Sequence, residues 1–511
     1  MAVVKRRSGI KPSAQQKAIY TACRKGGSTD NFIVRARAGT GKTTTILTGT
    51  EHAPEKIIVV AAFNKRIAEE LQRRITSYNV KAKTLHGMGY GILRRYWPQA
   101  NVAEGRARVD GLTNEALRAV GEETRVPFAV KRLIGRLHTA GREALPHATR
   151  SGELVDLAES LDLIPDPQYM AQGFDVDFIE SRALAAMELA TRQTAQIDFA
   201  DMIFLPCRMG WHNPVVDFVL VDEAQDMTAA QLELARGVCR GRLAIVGDDR
   251  QAIYGFRGAD TGSLDRLKEE LSATEFGLTV TYRCGLAIVE LAKQLVPDFE
   301  AAPGNPDGQI LELQAPQLIP EAQPGDFILS RVNAPLAEIA MGLLRANKRV
   351  RIAGRDLGSG LIALINRLAG DNEDVNDFLR RLTEWKMTET QRLIDADREH
   401  RVGAVEDKAG VLAAFGMDAT TVSDIRNKVQ MLFTDDGLGD ASVVTCSSIH
   451  RAKGLEADKV FILWDTLRRD SMEEQNLEYV AVTRAKETLV KVYGIGGRPV
   501  FGKKGNGRKT R

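Results

Sequence analysis

The sequence predicts an α/β protein: two largely parallel sheets covered by helices, each interrupted by a mainly helical insertion. Three observations carry that expectation. Short β-branched runs, bounded by loops and followed by helical patterns, recur at 31–35, 56–62, 216–221, 243–247, 326–331, 348–353, 442–446 and 459–464. The runs form two groups, and at about 90–195 and 360–440 the text turns helical and charged. The first group also holds a glycine-rich turn, ARAGTGKT (36–43), between a strand run and a helix start.

The 511-residue chain is 44% hydrophobic, ample for sizeable cores in about three or four domains. Its apolar runs fall short of the ~18 residues that span a bilayer, and MAVVKRRSGI lacks the apolar centre of a secretion signal. A soluble intracellular protein with no membrane partner is expected. Cys23, Cys207, Cys239, Cys284 and Cys446 are scattered without a CxxC pair, which reads as reduced packing residues rather than a zinc site or disulfide framework. Net charge is only +3, yet residues 1–11 and 495–511 carry Lys and Arg without a single acid. Such ends are either phosphate-seeking arms or solvated tails. Within AVKRLIGRLHTAGREAL (129–145), Val130, Leu133, Ile134 and Leu137 share one helical face. Lys131, Arg132 and Arg136 read first as its charged outer face, with DNA contact the alternative.

The stretch ARAGTGKT fits the GxxxxGK[ST] pattern, with Ala36 at the first glycine position. That pattern needs small residues so that backbone N–H groups wrap phosphate oxygens, a lysine for the β- and γ-phosphates and a hydroxyl for magnesium. Ala38, Gly39, Thr40, Gly41, Lys42, Thr43 and Thr44 form the expected ATP cradle. At 218–226, FVLVDEAQD ends a buried strand in two acids. Asp222 is expected to hold Mg2+ with Thr43, and Glu223 to orient or deprotonate the attacking water.

A third stretch, VGDDRQAIYGFRGAD (246–260), sets Gln251 close to Tyr254, Phe256 and Arg257. Gln251 suits a γ-phosphate, whereas the two rings suit unstacked bases, each stack contributing about 1–3 kcal/mol regardless of sequence. Arg257 can hold a phosphate or stack beside them. Gly255 and Gly258 favour an exposed turn over a core position. Arg283 in TYRCG, and Arg484 in YVAVTRAKETL on what reads as a helix, are the candidates for neutralising charge in phosphoryl transfer.

The ordered series KPSAQQKAI (11–19), AGTGKTTT, AAFNKRIAEEL (61–71), KTLHGMGYGIL (83–93), VDEAQD, GDDRQAIYGFRGA, TYR, IHRAKGLE (449–456) and EYVAVTRAKE (478–487) resembles superfamily 1 helicases of the UvrD/Rep type, and more closely the F-box DNA helicase branch. The resemblance implies two RecA-like P-loop domains. The first would comprise 1–90 and 196–275 around an insertion at 91–195. The second would comprise 276–360 and 441–497 around an insertion at 361–440, followed by a basic tail at 498–511.

It further implies that Gln15, or Gln16 one register on, meets the adenine edge. Tyr282 would stack on the base, Glu456 would lie near the ribose, and Arg283 and Arg484 would reach the γ-phosphate from the second domain. Phe63, Asn64, Thr84, His86 and His450 would contact DNA with the aromatic loop. The implied enzyme is an ATP- and Mg2+-dependent helicase moving 3′→5′ along single-stranded DNA and acting at single-strand/duplex junctions. It would be a monomer, cytoplasmic and nucleoid-associated in a bacterial or phage-infected cell, with replication or repair proteins as further partners. The second insertion is much shorter than in the bacterial repair enzymes. A second reading therefore stands: an ATP-gated single-stranded-DNA binding protein that strips bound proteins with little unwinding.

Overall fold

The computed structural model describes residues 12–25, 30–62, 64–161, 163–253, 263–395, 398–434 and 440–495. The chain divides into two compact units, Met1–Thr279 and Val280–Arg511.

In the first unit the strands are β1 (Phe32–Ala36), β2 (Ile58–Ala62), β3 (Val80–Thr84), β4 (Asn101–Val102), β5 (Gln196–Ile197), β6 (Val216–Val221), β7 (Cys239–Gly247) and β8 (Thr274–Leu278). Six of them form one parallel sheet in the order β3-β2-β6-β7-β1-β8, with β4 and β5 paired apart from it. Period-2 alternation divides the apolar side chains between the two faces. Phe32, Val34, Ile58, Val60, Phe218, Leu220, Ala244 and Val246 join one core with the helices Ala14–Arg24, Lys42–His52 and Lys65–Arg74. Ile33, Val59, Ala61, Val219, Val221, Leu243 and Ile245 join another with Leu85–Tyr96, Ala229–Val238 and Ser263–Glu270. Two covered faces explain why the central strands read as continuous hydrophobic runs.

Between β4 and β5 the helices Ala107–Arg118, Phe128–Ala144, Val155–Ser160, Pro167–Met170 and Val176–Ala190 surround an apolar cluster of their own. Val130, Ile134 and Leu137 are wholly buried in it, as their helical spacing predicts. Leu93, Phe204 and Leu205 connect this cluster to Leu85–Tyr96 and Phe199–Arg208, two helices whose other apolar residues pack on the sheet.

In the second unit β9 (Val280–Thr281) pairs with β10 (Glu300–Ala301). The remaining strands are β11 (Gln309–Gln314), β12 (Phe327–Ser330), β13 (Val350–Ile352), β14 (Val444–Ser448), β15 (Ala457–Leu463) and β16 (Ala485–Tyr493). They form a parallel sheet in the order β11-β16-β15-β12-β14-β13. Here the helices Arg355–Leu368, Val375–Asp395, Val402–Gly416 and Val422–Leu432 share one continuous core with the sheet. Leu361, Phe378, Phe415 and Ile425 belong to the same cluster as Val444, Cys446 and Phe461.

One element differs from expectation. Arg484 does not lie on a helix: Met472–Val482 ends before it, and β16 starts just after it. The apolar run Leu489, Val490 and Val492, buried against β15, takes this segment into the sheet.

Candidate nucleotide and nucleic-acid sites

The glycine-rich turn follows β1 directly. Gly39 and Gly41 adopt φ of 68° and 77°, a left-handed backbone that glycine enters without Cβ strain. Gly41 caps Lys42–His52 without any side-chain bond, so the first helical turn keeps the N–H groups and positive dipole end that suit an anion. Thr40 donates to the Arg37 carbonyl at 2.9 Å and closes the turn, with Ala38 buried beside it. Thr44 is exposed, and its hydroxyl accepts from Arg74 at 3.0 Å.

The strand order places the end of β6 close to this turn. Lys42 Nζ lies 3.2 Å from Glu223 Oε2, and the Thr43 hydroxyl lies 3.5 Å from Asp222 Oδ2. Burial opposes the lysine charge, but Glu223, Asp248 and Asp222 outweigh it and hold the ammonium above its usual pKa. Burial, reinforced by Glu223, pushes the Asp222 carboxyl up to about 6 against the pull of Lys42. Glu223 sits at φ 54° and ψ 42°, a strained conformation for a residue with a side chain and one that recurs at functional sites. Among the described residues no cluster of three or more His, Cys, Asp or Glu forms a metal cage. The Thr43 hydroxyl and Asp222 carboxylate are hard oxygen donors, which fits a magnesium ion completed by water and phosphate oxygens.

Behind the acid pair lies a network that the sequence reading missed. Gln225, buried, donates to Glu223 Oε2 at 2.6 Å and accepts the Asp248 N–H at 3.0 Å. The wholly buried Asp248 accepts from Gln251 at 2.7 Å and from Arg37 at 3.2 Å, and Arg37 also reaches Asp249 at 2.7 Å. Arg37, Gln225 and Asp248 all stand inside motifs already singled out. The available signal was a polar residue set at the buried end of an apolar strand. Gln15 and Gln16 diverge. Gln15 pairs through its amide with the Thr279 hydroxyl and N–H at 2.8 and 3.1 Å. Gln16 closes a capping box with Ser13 and donates to Thr45 at 3.2 Å.

Of the residues expected to meet DNA, Phe63, Tyr254, Phe256 and Arg257 lie outside the described residues. Asn64 and Thr84 cap the helices that follow them, accepting from the Ile67 and Gly87 N–H groups at 2.9 and 3.0 Å. His86 lines a cavity of about 310 Å³ together with Glu143, Leu157, Leu161, Asp226 and Thr228. Burial lowers the pKa of its ring, which meets Phe199 edge-on at 6.1 Å. Phe199 is 66% exposed, and the sequence reading did not single it out. Its signal was a large aromatic at the first position of a helix.

The second unit gathers Arg283, Glu456 and Arg484. Arg283 pairs with Glu456 at 2.7 Å and donates to the Thr483 carbonyl at 3.2 Å. Arg484 is buried and donates to the Val480 and Leu455 carbonyls at 3.0 Å each. Burial and the neighbouring Arg283 bring its pKa down to about 10. Glu456 also meets Lys486 at 3.3 Å. Tyr282 is half-buried in the turn after β9, and His450 is pushed down to about 4 by burial, Arg331 and Arg451.

A left-handed glycine turn feeding a helix, faced by a strand-end acid pair and set in the first of two parallel six-stranded sheets, defines a P-loop nucleotide-binding protein. Comparison with known families narrows that class. The UvrD/REP helicase N-terminal domain matches residues 14–272 and the UvrD-like helicase C-terminal domain matches 443–492, and the chain belongs to the UvrD/Rep helicase family. It is 25% identical to F-box DNA helicase protein 1 of Schizosaccharomyces pombe, over 89% of this chain and 55% of that protein. To a probable DNA helicase II homolog of Mycoplasma pneumoniae it is 24% identical, over 95% of this chain and 85% of the relative. DNA helicase II of Escherichia coli is also 24% identical, over 63% and 47%. The chain thus spans about half the length of the yeast and Escherichia coli proteins.

Proposed function

We propose that the chain is an ATP-dependent DNA helicase that moves 3′→5′ along single-stranded DNA and separates duplex ahead of it. The observation that supports this most is the pairing of Lys42 with Glu223 and of Thr43 with Asp222 around a left-handed glycine turn. Lys42 would exchange its carboxylate partner for the β- and γ-phosphates. Glu223, released from that pair but still bonded to Gln225, would orient the attacking water. A magnesium ion held through Thr43 and Asp222 would supply charge neutralisation at the phosphates. Arg283 and Arg484 are assigned to the same task from the second unit, following the family resemblance.

The DNA role rests on the exposed Phe199, with the half-buried His86 beside it, and on the aromatic residues that the sequence sets at 254 and 256. Gln251 would report the state of the nucleotide to that stretch, since it shares Asp248 with Arg37 of the phosphate turn. ATP turnover with and without single-stranded DNA, followed by displacement from 3′- and 5′-tailed duplexes, tests the reading. Stimulation by DNA together with displacement from the 3′-tailed substrate is expected. Stimulation without displacement would favour the ATP-gated remodelling protein instead.

A further inference from the structure

The first insertion grips the helix Phe199–Arg208 through four charges that the nucleotide site does not use, three of them buried (Arg108, Arg142 and Asp201) and Asp198 partly so. Asp198 caps this helix, accepting the Asp201 N–H at 2.9 Å, while both ends of the Arg142 guanidinium donate to its carboxylate at 2.8 Å. Arg142, wholly buried in Phe128–Ala144, also donates to Asp201 Oδ1 at 2.7 Å. The other oxygen of Asp201 accepts from Arg108 of Ala107–Arg118 at 2.9 Å. Arg108 is anchored in turn by Gln193 at 2.9 Å and the Ala190 carbonyl at 3.1 Å. Two cations meet two anions, so the buried charge is balanced.

A helix cap needs only an acceptor for the N–H groups of the first turn. The forked contact adds directional restraint, because a planar guanidinium fixes the carboxylate in two places where an ammonium would fix it in one. The residue immediately after this restrained cap is Phe199, exposed with its ring beside His86. We propose that Arg142 is a positioning residue: by holding the Asp198 cap it sets the angle at which Phe199 offers its ring, beside His86, to the bases of single-stranded DNA. The inference rests on the reading of Phe199 and His86 as a DNA-facing edge.

The test is the ATP turnover of the full chain titrated with oligo(dT), in the wild type, Phe199→Ala, Arg142→Lys, Asp198→Asn and the Arg142→Lys/Phe199→Ala double variant. Thermal melting reports whether each is folded. The KM for oligo(dT) is expected to rise about tenfold in each single variant, the loss of roughly one base stack. Turnover of Arg142→Lys at saturating DNA stays within about twofold of wild type. The double variant binds no more weakly than Phe199→Ala alone, because both changes remove the same interaction. An unchanged KM in Phe199→Ala overturns the DNA-edge reading and this inference with it. A raised KM in Phe199→Ala beside wild-type KM in folded Arg142→Lys and Asp198→Asn overturns the positioning role alone, as do additive effects in the double variant. Should Arg142→Lys not fold, Asp198→Asn, which keeps a cap acceptor, carries the comparison.

Discussion

Arg37 is a side chain whose loss would be felt on both sides of the nucleotide site, since it joins the phosphate turn to Asp248 and Asp249. Replacing it by Gln takes the guanidinium partner from the wholly buried Asp248, which keeps Gln251, and urea unfolding should show a loss of about 3 kcal/mol. Lys42→Ala acts differently. The fold should persist while DNA-stimulated ATP turnover falls by about 10²–10³, as when one preorganised charge is removed from a reacting phosphate. The contrast between these residues also explains what could be read in advance. Lys42, Thr43, Asp222 and Glu223 stand in short patterns whose spacing is dictated by phosphate and metal chemistry. Arg37 finds its partner 211 positions away. That pairing exists only because β1 and β7 are neighbours, a fact of sheet order rather than of local text.

At the level of elements, the crossing of Leu85–Tyr96 with Phe199–Arg208 is closed by a glycine. A Cβ on Gly89 would come within 1.8 Å of the Met202 carbonyl oxygen, whereas one on Gly91 would meet nothing within 4 Å. Gly89→Ala should therefore destabilise severely by overpacking, typically about 1–3 kcal/mol or more. Gly91→Ala should stabilise by up to about 1 kcal/mol through helix propensity. Denaturant midpoints of the pair provide the comparison.

His138 supplies a pH test in the same insertion. Burial, with Arg142 and Arg108 nearby and Asp198 opposing, pushes its pKa down to about 3. In the unfolded chain the ring takes up a proton near 6.5. Its contribution to stability is full above that value and shrinks as pH falls from 6.5 towards 3, where only the unfolded state gains the proton. His138→Asn should flatten this slope in melting curves measured across the window.

Three of the four strands missed in the six-stranded sheets have a shared cause. β3 (VKAKT), β8 (TEFGL) and β11 (QILELQ) lie at sheet edges and interleave apolar with polar residues, unlike the continuous runs of the central strands. The fourth, β16, opens on a charged AKET stretch directly after a helix, which extended the helical reading across Arg484.

For the molecule as a whole, the two six-stranded sheets were legible from the grouping of apolar runs, because covered parallel strands must be hydrophobic on both faces. Tyr254→Ala should keep ATP turnover and lose strand displacement on a tailed duplex, and undiminished displacement would count against the motor reading. The two insertions also differ in how they are built in. The first gathers an interior of its own and reaches the sheet only by way of the helices that carry Leu93, Phe204 and Leu205. The second lends Leu361, Ile365, Ile425 and Val429 to the same interior as Val350, Val444 and Cys446. Pruning that second set of helices would strip apolar partners from an interior that the strands share, so it cannot be trimmed without exposing part of the sheet's own core. The first set, by contrast, can be remodelled on its outer surface while the strands beneath stay dry.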